Sequence, residues 1–231
     1  MRRIEPDARL SSAAGMVRQG AVFADIGTDH AYLPVFLLEK GILSHAYAAD
    51  IAEGPLQRAA HTVAQFGLSD KITLLLRNGL CGMEDLGLTD IAICGMGGET
   101  IVSILSAAPF VRKNGLRLIL QPMTKAAEVR RYLGDEGFFI LREEVCEAAG
   151  KRYFCLCAEY TGEVYVLSRP QAELGAYNLF HPTPAFCRLV AEKKRAVEKK
   201  LRGLALGGVE DPEEMAFWKF LEDWSQSHDG A

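Results

Sequence analysis

Five short apolar runs, AVFADI, SHAYAADI, KITLLL, LTDIAIC and LRLILQP, recur between residues 21 and 122, and segments of helical periodicity are threaded among them. LPVFLLEKG, GPLQRAAHTVAQFG and ETIVSILSAAP interleave with the runs, and KAAEVRRYLGDEG follows the fifth. Strands separated by helical segments of this length imply right-handed crossovers and a mainly parallel sheet. Two further runs, FFILREEV and YFCLCAEY, have only CEAAGKR between them. That gap is too short for a crossover helix, so the pair is expected to close the sheet as an antiparallel edge hairpin. The fold class is α/β, with seven strands.

After Tyr160 the pattern changes. TGEVYVLSRP reads as a linker, and no strand signal follows it. Residues 183–204 form one helix by periodicity: at about 100° per residue, Phe186, Val190, Val197, Leu201 and Leu204 fall on one stripe. The segment 211–224 offers the partner, with Asp211 as N-cap, Pro212 at the first helical position and Phe217, Leu221 and Trp224 spaced along one face. Gly207 and Gly208 mark the turn between them. The expected organisation is an α/β domain over residues 1–162 and a C-terminal helical hairpin, coiled-coil-like, over 170–231. A length of 231 residues suits one large domain with such an appendage. No apolar run approaches the roughly 18 residues of a membrane span, and MRRIEPDARL lacks a signal peptide's apolar core. The chain is expected to be cytoplasmic and monomeric, with no membrane partner. The cysteines at 81, 94, 146, 155, 157 and 187 include no C-x-x-C and lie in apolar stretches, so they read as buried free thiols, and no metal is expected.

The candidate chemistry gathers at the strand ends. The first run leads into VFADIGTDHAYLP. There Gly27 lets the backbone approach a ligand, while the carboxylates of Asp25 and Asp29 can accept from the ammonium group of an adenosyl amino-acid cofactor. Two aspartates would repel a pyrophosphate, and G-x-G-x-x-G is missing, so a nicotinamide dinucleotide is disfavoured. The bland alternative is a D-x-G turn that merely ends a strand. Asp50, followed by Ile51, ends the second run 23 residues after Gly27, where a carboxylate can hold both ribose hydroxyls. Asn78 and Gly79 end the third, suited to an adenine edge and plane. Gly95, Gly97 and Gly98 surround Met96 after the fourth and would make a floor open to a flat base or a methyl group; a tight turn accounts for one glycine more easily than for three. Gln121 and Pro122 end the fifth beside that floor.

ADIGTDHAYLP, AADIAEGPLQRA, RNGL, AICGMGGETI, LILQP and GKRYF, in that order over about residues 9–160, resemble the bacterial S-adenosylmethionine-dependent tRNA methyltransferases that modify N1 of adenine 22. The resemblance implies a Rossmann-like class I methyltransferase domain with a helical C-terminal domain, S-adenosyl-L-methionine as cofactor and tRNA as partner. One position departs: the family usually has aspartate where this chain has Asn78.

With such a substrate, Asp29 would offset positive charge on the methylated base. His30 and Tyr32 would stack on it or hydrogen-bond to it, and Gly97, Gln121 and Pro122 would shape its pocket. His30 as cap of the following helix is the alternative. Because N1 lies on the Watson–Crick edge, the nucleotide must be exposed or flipped, which requires contacts elsewhere on the RNA. Arg188, Arg195, Lys199 and Arg202 cluster opposite the apolar stripe as a basic ridge able to track phosphates. The formal net charge of −4 conceals this: residues 183–203 hold seven Lys or Arg against two acids, and 204–231 hold seven acids against one Lys. The competing readings are a methyltransferase for another RNA site or a small molecule, and a non-catalytic RNA-binding protein on the same fold.

Overall fold

The computed structural model describes residues 4–228 and divides into two units, Met1–Val166 and Leu167–Ala231. The first unit is built on a seven-stranded sheet: β1 (Phe23–Ile26), β2 (Ala46–Asp50), β3 (Ile72–Leu76), β4 (Asp90–Gly97), β5 (Arg117–Thr124), β6 (Phe138–Ala148) and β7 (Lys151–Tyr160). Their order is β3-β2-β1-β4-β5-β7-β6. The first five run parallel, and β7 pairs antiparallel with both β5 and β6. Each strand expected from the sequence is present, and the closing hairpin inserts its second strand next to β5.

The apolar runs are continuous because both faces of the sheet are covered. Phe23, Ala48, Ala92, Ile119, Cys155 and Cys157 face one core, together with α1 (Ala8–Ala14), α2 (Tyr32–Glu39) and α3 (Glu53–Gln65). Their neighbours Ala24, Ala49, Ile91, Ile93, Leu118, Leu120 and Leu156 face the other, with α4 (Gly98–Ser106) and α5 (Ala126–Asp135). The chain therefore winds from β1 outward in two directions, leaving a crevice at the carboxyl ends of β1 and β4, where neighbouring connections depart to opposite faces. In open α/β sheets that is where ligands bind.

Helix α1 was not foreseen. Asp7 caps it, its Oδ1 accepting from the amides of Arg9 and Leu10 at 3.0 and 3.1 Å. Just beyond the helix, Arg18 donates from Nε and its amide to the fully buried Asp90 at the start of β4, at 2.8 and 2.9 Å. On the far side of the unit, the buried pair Arg130–Glu143 ties α5 to β6, and Phe154 of β7 lies 4.1 Å from the guanidinium. The expected linker is not all loose chain. Its Tyr165 donates from the phenol to the Phe138 carbonyl at 3.0 Å and from its amide to that of Gly134 at 3.1 Å. Buried free thiols were expected; Cys146, Cys155 and Cys157 are buried, whereas Cys81 is exposed.

The second unit begins with two short helices that the sequence reading left out, α6 (Arg169–Leu174) and α7 (Ala176–Phe180). A capping box between Ser168 and Gln171 starts α6. The hairpin follows as α8 (Pro184–Leu206) and α9 (Pro212–Ser227). Thr183 and Asp211 are the N-caps, each accepting from the amide three residues on at 3.2 and 2.9 Å. Phe186, Val190, Val197, Phe217 and Leu221 are buried between them, and Phe186 meets Trp224 edge to face at 5.3 Å. Glu214 is the polar tie: it accepts from Arg169 at 2.7 Å and Lys200 at 2.8 Å. Burial alone would raise its pKa, but these two cations hold it below the usual carboxylate value.

Candidate active site

β1 is only four residues long and wholly buried, so its last side chains arrive at the crevice on a rigid support. Asp25 is 5% exposed. Thr28 Oγ1 donates to its Oδ2 at 2.7 Å, while Oδ1 has no hydrogen-bond partner among the described residues. Desolvation pushes its pKa up to about 6, with Asp50 adding to the rise and the Thr28 hydroxyl opposing it. A buried carboxylate so arranged is a socket for a cation. Gly27, next in the loop, has φ +74, and a Cβ there would stand 2.0 Å from the Met96 Cε.

The loop then passes through two more left-handed residues, Asp29 (φ 48) and Ala31 (φ 57), which is a strained path for side-chain-bearing residues. The strain turns Asp29 outward onto Arg58 of α3, whose Nε donates to Oδ1 at 3.1 Å and whose Nη2 donates to the same oxygen. Arg58 was absent from the sequence reading. Ala31, without any side-chain cap, occupies the N-cap of α2. The alternative role for His30 as that cap is thereby overturned. Its ring instead stacks on Tyr32, centroids 5.0 Å apart and planes 9° from parallel, with Nε2 3.7 Å from Asp29 Oδ2.

At the end of β2, the Asp50 carboxylate is oriented by backbone donors: Oδ1 accepts from Ala52 N at 3.1 Å and Oδ2 from Asp29 N at 3.4 Å. Ile51 beside it is 67% exposed. Asn78 and Gly79, at the end of β3, line a cavity of about 550 Å³ with Ser103 and Ile104 of α4. Asp25, Gly27, Asp29, His30, Tyr32, Gly95 and Gln121 line another, of about 210 Å³, into which Arg9 of α1 also reaches. β1, β2 and β3 are neighbours in the sheet, so the three expected tips share one edge, but the first and third open into different cavities.

The glycines at the passage from β4 into α4 divide their labour differently from expectation. The strand runs on to Gly97 through a register shift opposite β5. Gly95 has φ +79, and a Cβ on Gly98 would sit 2.5 Å from the Lys125 carbonyl oxygen. Backbone shape and packing thus account for two of the three. Gly97 has an ordinary extended backbone, as N-cap of α4, and a Cβ there would meet only Thr124 Oγ1, at 3.5 Å. Gln121 is 1% exposed and already committed: Oε1 accepts from Gly95 N and Nε2 donates to the Pro122 carbonyl, both at 3.1 Å. It braces the β4 turn. Pro122 is buried inside β5. Cys94 also borders the smaller cavity, and desolvation first, then neighbouring Cys155 and Asp25, drive its pKa well above that of an ordinary thiol, so it carries no thiolate.

In the second unit, Arg188, Arg195, Lys199 and Arg202 are all exposed on α8. Lys193, Lys194 and Lys200, flanking the apolar stripe, pair with Glu173, Glu222 and Glu214 at 2.7, 3.2 and 2.8 Å. Arg202 pairs with Glu198 one turn back at 2.6 Å. No acid among the described residues lies within ion-pair distance of Arg195 or Lys199.

Fold and site together define a methyltransferase domain, and residues 7–156 match the family model of that description. Over 159 residues the chain is 36% identical to the tRNA (adenine(22)-N(1))-methyltransferase of Bacillus subtilis, covering 69% of this chain and 67% of the relative. It belongs to that family of methyltransferases. Among solved structures, the Bacillus subtilis m1A22 tRNA methyltransferase superimposes with a TM-score of 0.80 at 27% identity, over 97% of each chain. A Streptococcus pneumoniae protein in complex with S-adenosyl-L-methionine does so with 0.84 at 32% identity, over 96% of this chain and 100% of that one. No described helix is long and apolar enough to cross a membrane.

Proposed function

We propose that the protein transfers the methyl group of S-adenosyl-L-methionine to N1 of adenine 22 in tRNA. The observation that carries this reading is the buried Asp25 carboxylate, one oxygen on Thr28 and the other left to the crevice, in a member of this family. The residues present fit the cofactor. Asp25 would receive its ammonium group and Asp50 its ribose hydroxyls, while Gly27 and Gly95 keep the backbone close and Asn78 with Gly79 would take the adenine edge. Asn78 can both donate and accept there, so the family's usual aspartate is not required for a hydrogen bond.

The cofactor supplies a methyl group on a sulfonium sulfur: the N1–C bond forms as the C–S bond breaks and the sulfur leaves as a neutral thioether. Neutral adenine carries a lone pair and no proton at N1, so no general base is required of the chain. What remains is to hold the base in line, exclude water and accommodate the positive charge that appears on the ring. The stacked His30–Tyr32 pair supplies an aromatic wall for the base. Gly97 leaves the approach open. Asp29 is the counter-charge for that ring, shared with Arg58, so its field on the base is weaker than that of a lone carboxylate. Arg195 and Lys199 on α8 offer cations for RNA phosphates.

The test is to incubate the pure protein with an unmodified tRNA transcript and S-adenosyl-L-methionine, then map the product by nucleoside mass spectrometry. The expected product is 1-methyladenosine at position 22; methyl at another atom or position would overturn the proposal. Asp29→Ala is expected to slow transfer, and unaltered transfer would remove Asp29 from the mechanism.

A further inference from the structure

A second concavity adjoins the reaction crevice. Between the start of α2 and the outer face of α3 lies a groove of about 660 Å³, within the range of sites that hold a nucleotide-sized ligand. His30 and Tyr32 form one wall, and the same two side chains line the crevice on their other side. The opposite wall is α3. Gln57, His61 and Gln65 recur every fourth residue and so form one row along the helix, with Arg58 beside them. All four are exposed, and His61 Nε2 lies 2.7 Å from Gln65 Nε2.

A polar row on a helix is ordinarily just a wetted face. Three observations set this one apart. It faces an aromatic pair across an open concavity. No carboxylate among the described residues lines the cavity, although Glu53 stands one turn before Gln57 on α3; Asp29 is held by Arg58 Nε and Nη2, and Arg58 Nη1 has no hydrogen-bond partner among the described residues. The amides, imidazole and guanidinium are the donors that phosphates and riboses attract, while the aromatic edge can meet a base. The groove also shares a wall with the crevice, so a chain covalently attached to the reacting base can continue directly into it.

We infer that the α2–α3 groove holds a nucleotide adjoining the one being methylated, its sugar-phosphate against Gln57, Arg58, His61 and Gln65. This rests on the reading that the crevice methylates RNA and adds the path of the strand out of it. Contacts of this kind fix register and carry no base identity, so they contribute to affinity for many tRNAs alike.

The full-length Gln57→Glu/His61→Glu variant tests this. Both positions are exposed, and neither is among the residues assigned to cofactor or reacting base. Filter binding of an unmodified tRNA transcript, calorimetry with S-adenosyl-L-methionine and steady-state methylation are compared with the unaltered protein. Expected are an RNA Kd and a KM for tRNA raised at least tenfold, with kcat and cofactor affinity unchanged. RNA affinity within twofold overturns the inference, whatever happens to turnover. If cofactor affinity falls too, Gln65→Glu alone, farther along the row, decides on the same criteria. If the unaltered protein binds tRNA and the variant loses it, yet no 1-methyladenosine forms at position 22, the groove stands and the proposed reaction fails.

Discussion

Asp25 is asked to be charged where charge is costly, and that cost can be measured. Burial lifts its pKa from 3.8 to about 6, with Asp50 contributing and Thr28 opposing. A rise of roughly 2 units corresponds to about 3 kcal/mol at most. The sign follows from which state binds more protons. Between about pH 4 and 6 the folded protein keeps a proton on Asp25 that the unfolded chain has released, so stability falls as pH rises through that window. Above it the whole penalty is present; below about pH 4 it is absent. Asp25→Asn removes the titration and keeps an oxygen for the Thr28 hydroxyl. The variant, without cofactor, should therefore melt up to roughly 6–12 °C higher at pH 8, taking about 2–4 °C per kcal/mol for a chain of this size, and the gain should vanish near pH 4. The same change removes the proposed partner of the cofactor's ammonium, and losing a charged hydrogen bond of about 1.5–3 kcal/mol should weaken S-adenosyl-L-methionine roughly 10- to 150-fold. Thermal melts from pH 4 to 8 and calorimetry at pH 7.5 read the two effects. A melting difference that is the same at both ends of the pH range, or an Asn variant that is less stable at pH 8, would refute the argument that Asp25 is a desolvated anion.

Gly98→Ala forces a Cβ to within 2.9 Å of the Thr124 carbonyl oxygen and closer still to that of Lys125, so it should destabilise by about 1–3 kcal/mol in urea unfolding, whereas Gly97→Ala should cost much less stability. Replacing only one member of the buried Arg130–Glu143 pair should cost about 3–5 kcal/mol, and Arg130→Met/Glu143→Leu together should recover most of it; a double variant as unstable as the singles would show that the pair itself is needed. Reversing Arg195 and Lys199 to Glu should lower the slope of log affinity for tRNA against log salt by about 1.5 without altering S-adenosyl-L-methionine binding, and an unchanged slope would place the phosphates elsewhere.

The central strands β1, β4 and β5 were readable because each is sandwiched between two apolar layers, so period and length both marked them. Helix α1 escaped because ARLSSAA buries only alanines, which carry little periodic signal, although Asp7 stood ahead of it as a cap. The capping box of α6 was present as Ser168 and Gln171 but lay in a stretch that read as linker. At the site, sequence located carboxylates and glycines at strand ends and said nothing of what each oxygen or Cβ would meet. The Asp29–Arg58 pair spans 29 residues, and no local pattern links the two. Gln121 looked like a pocket residue since a strand-end amide is free to face a ligand, yet both of its polar atoms are consumed in holding the Gly95 turn and the Pro122 carbonyl. The same geometry explains why three glycines lie where β4 passes into α4. One satisfies a left-handed backbone, one the approach of the β5–α5 connection, and only Gly97 is left with an unforced backbone and room beside it. A motif thus names residues that must be small or charged, and tertiary contact then decides which of them remain available to a ligand. By that criterion Asp25 keeps one oxygen and Gly97 an open side for a ligand, whereas Gln121 is spent on the Gly95 turn and the Pro122 carbonyl.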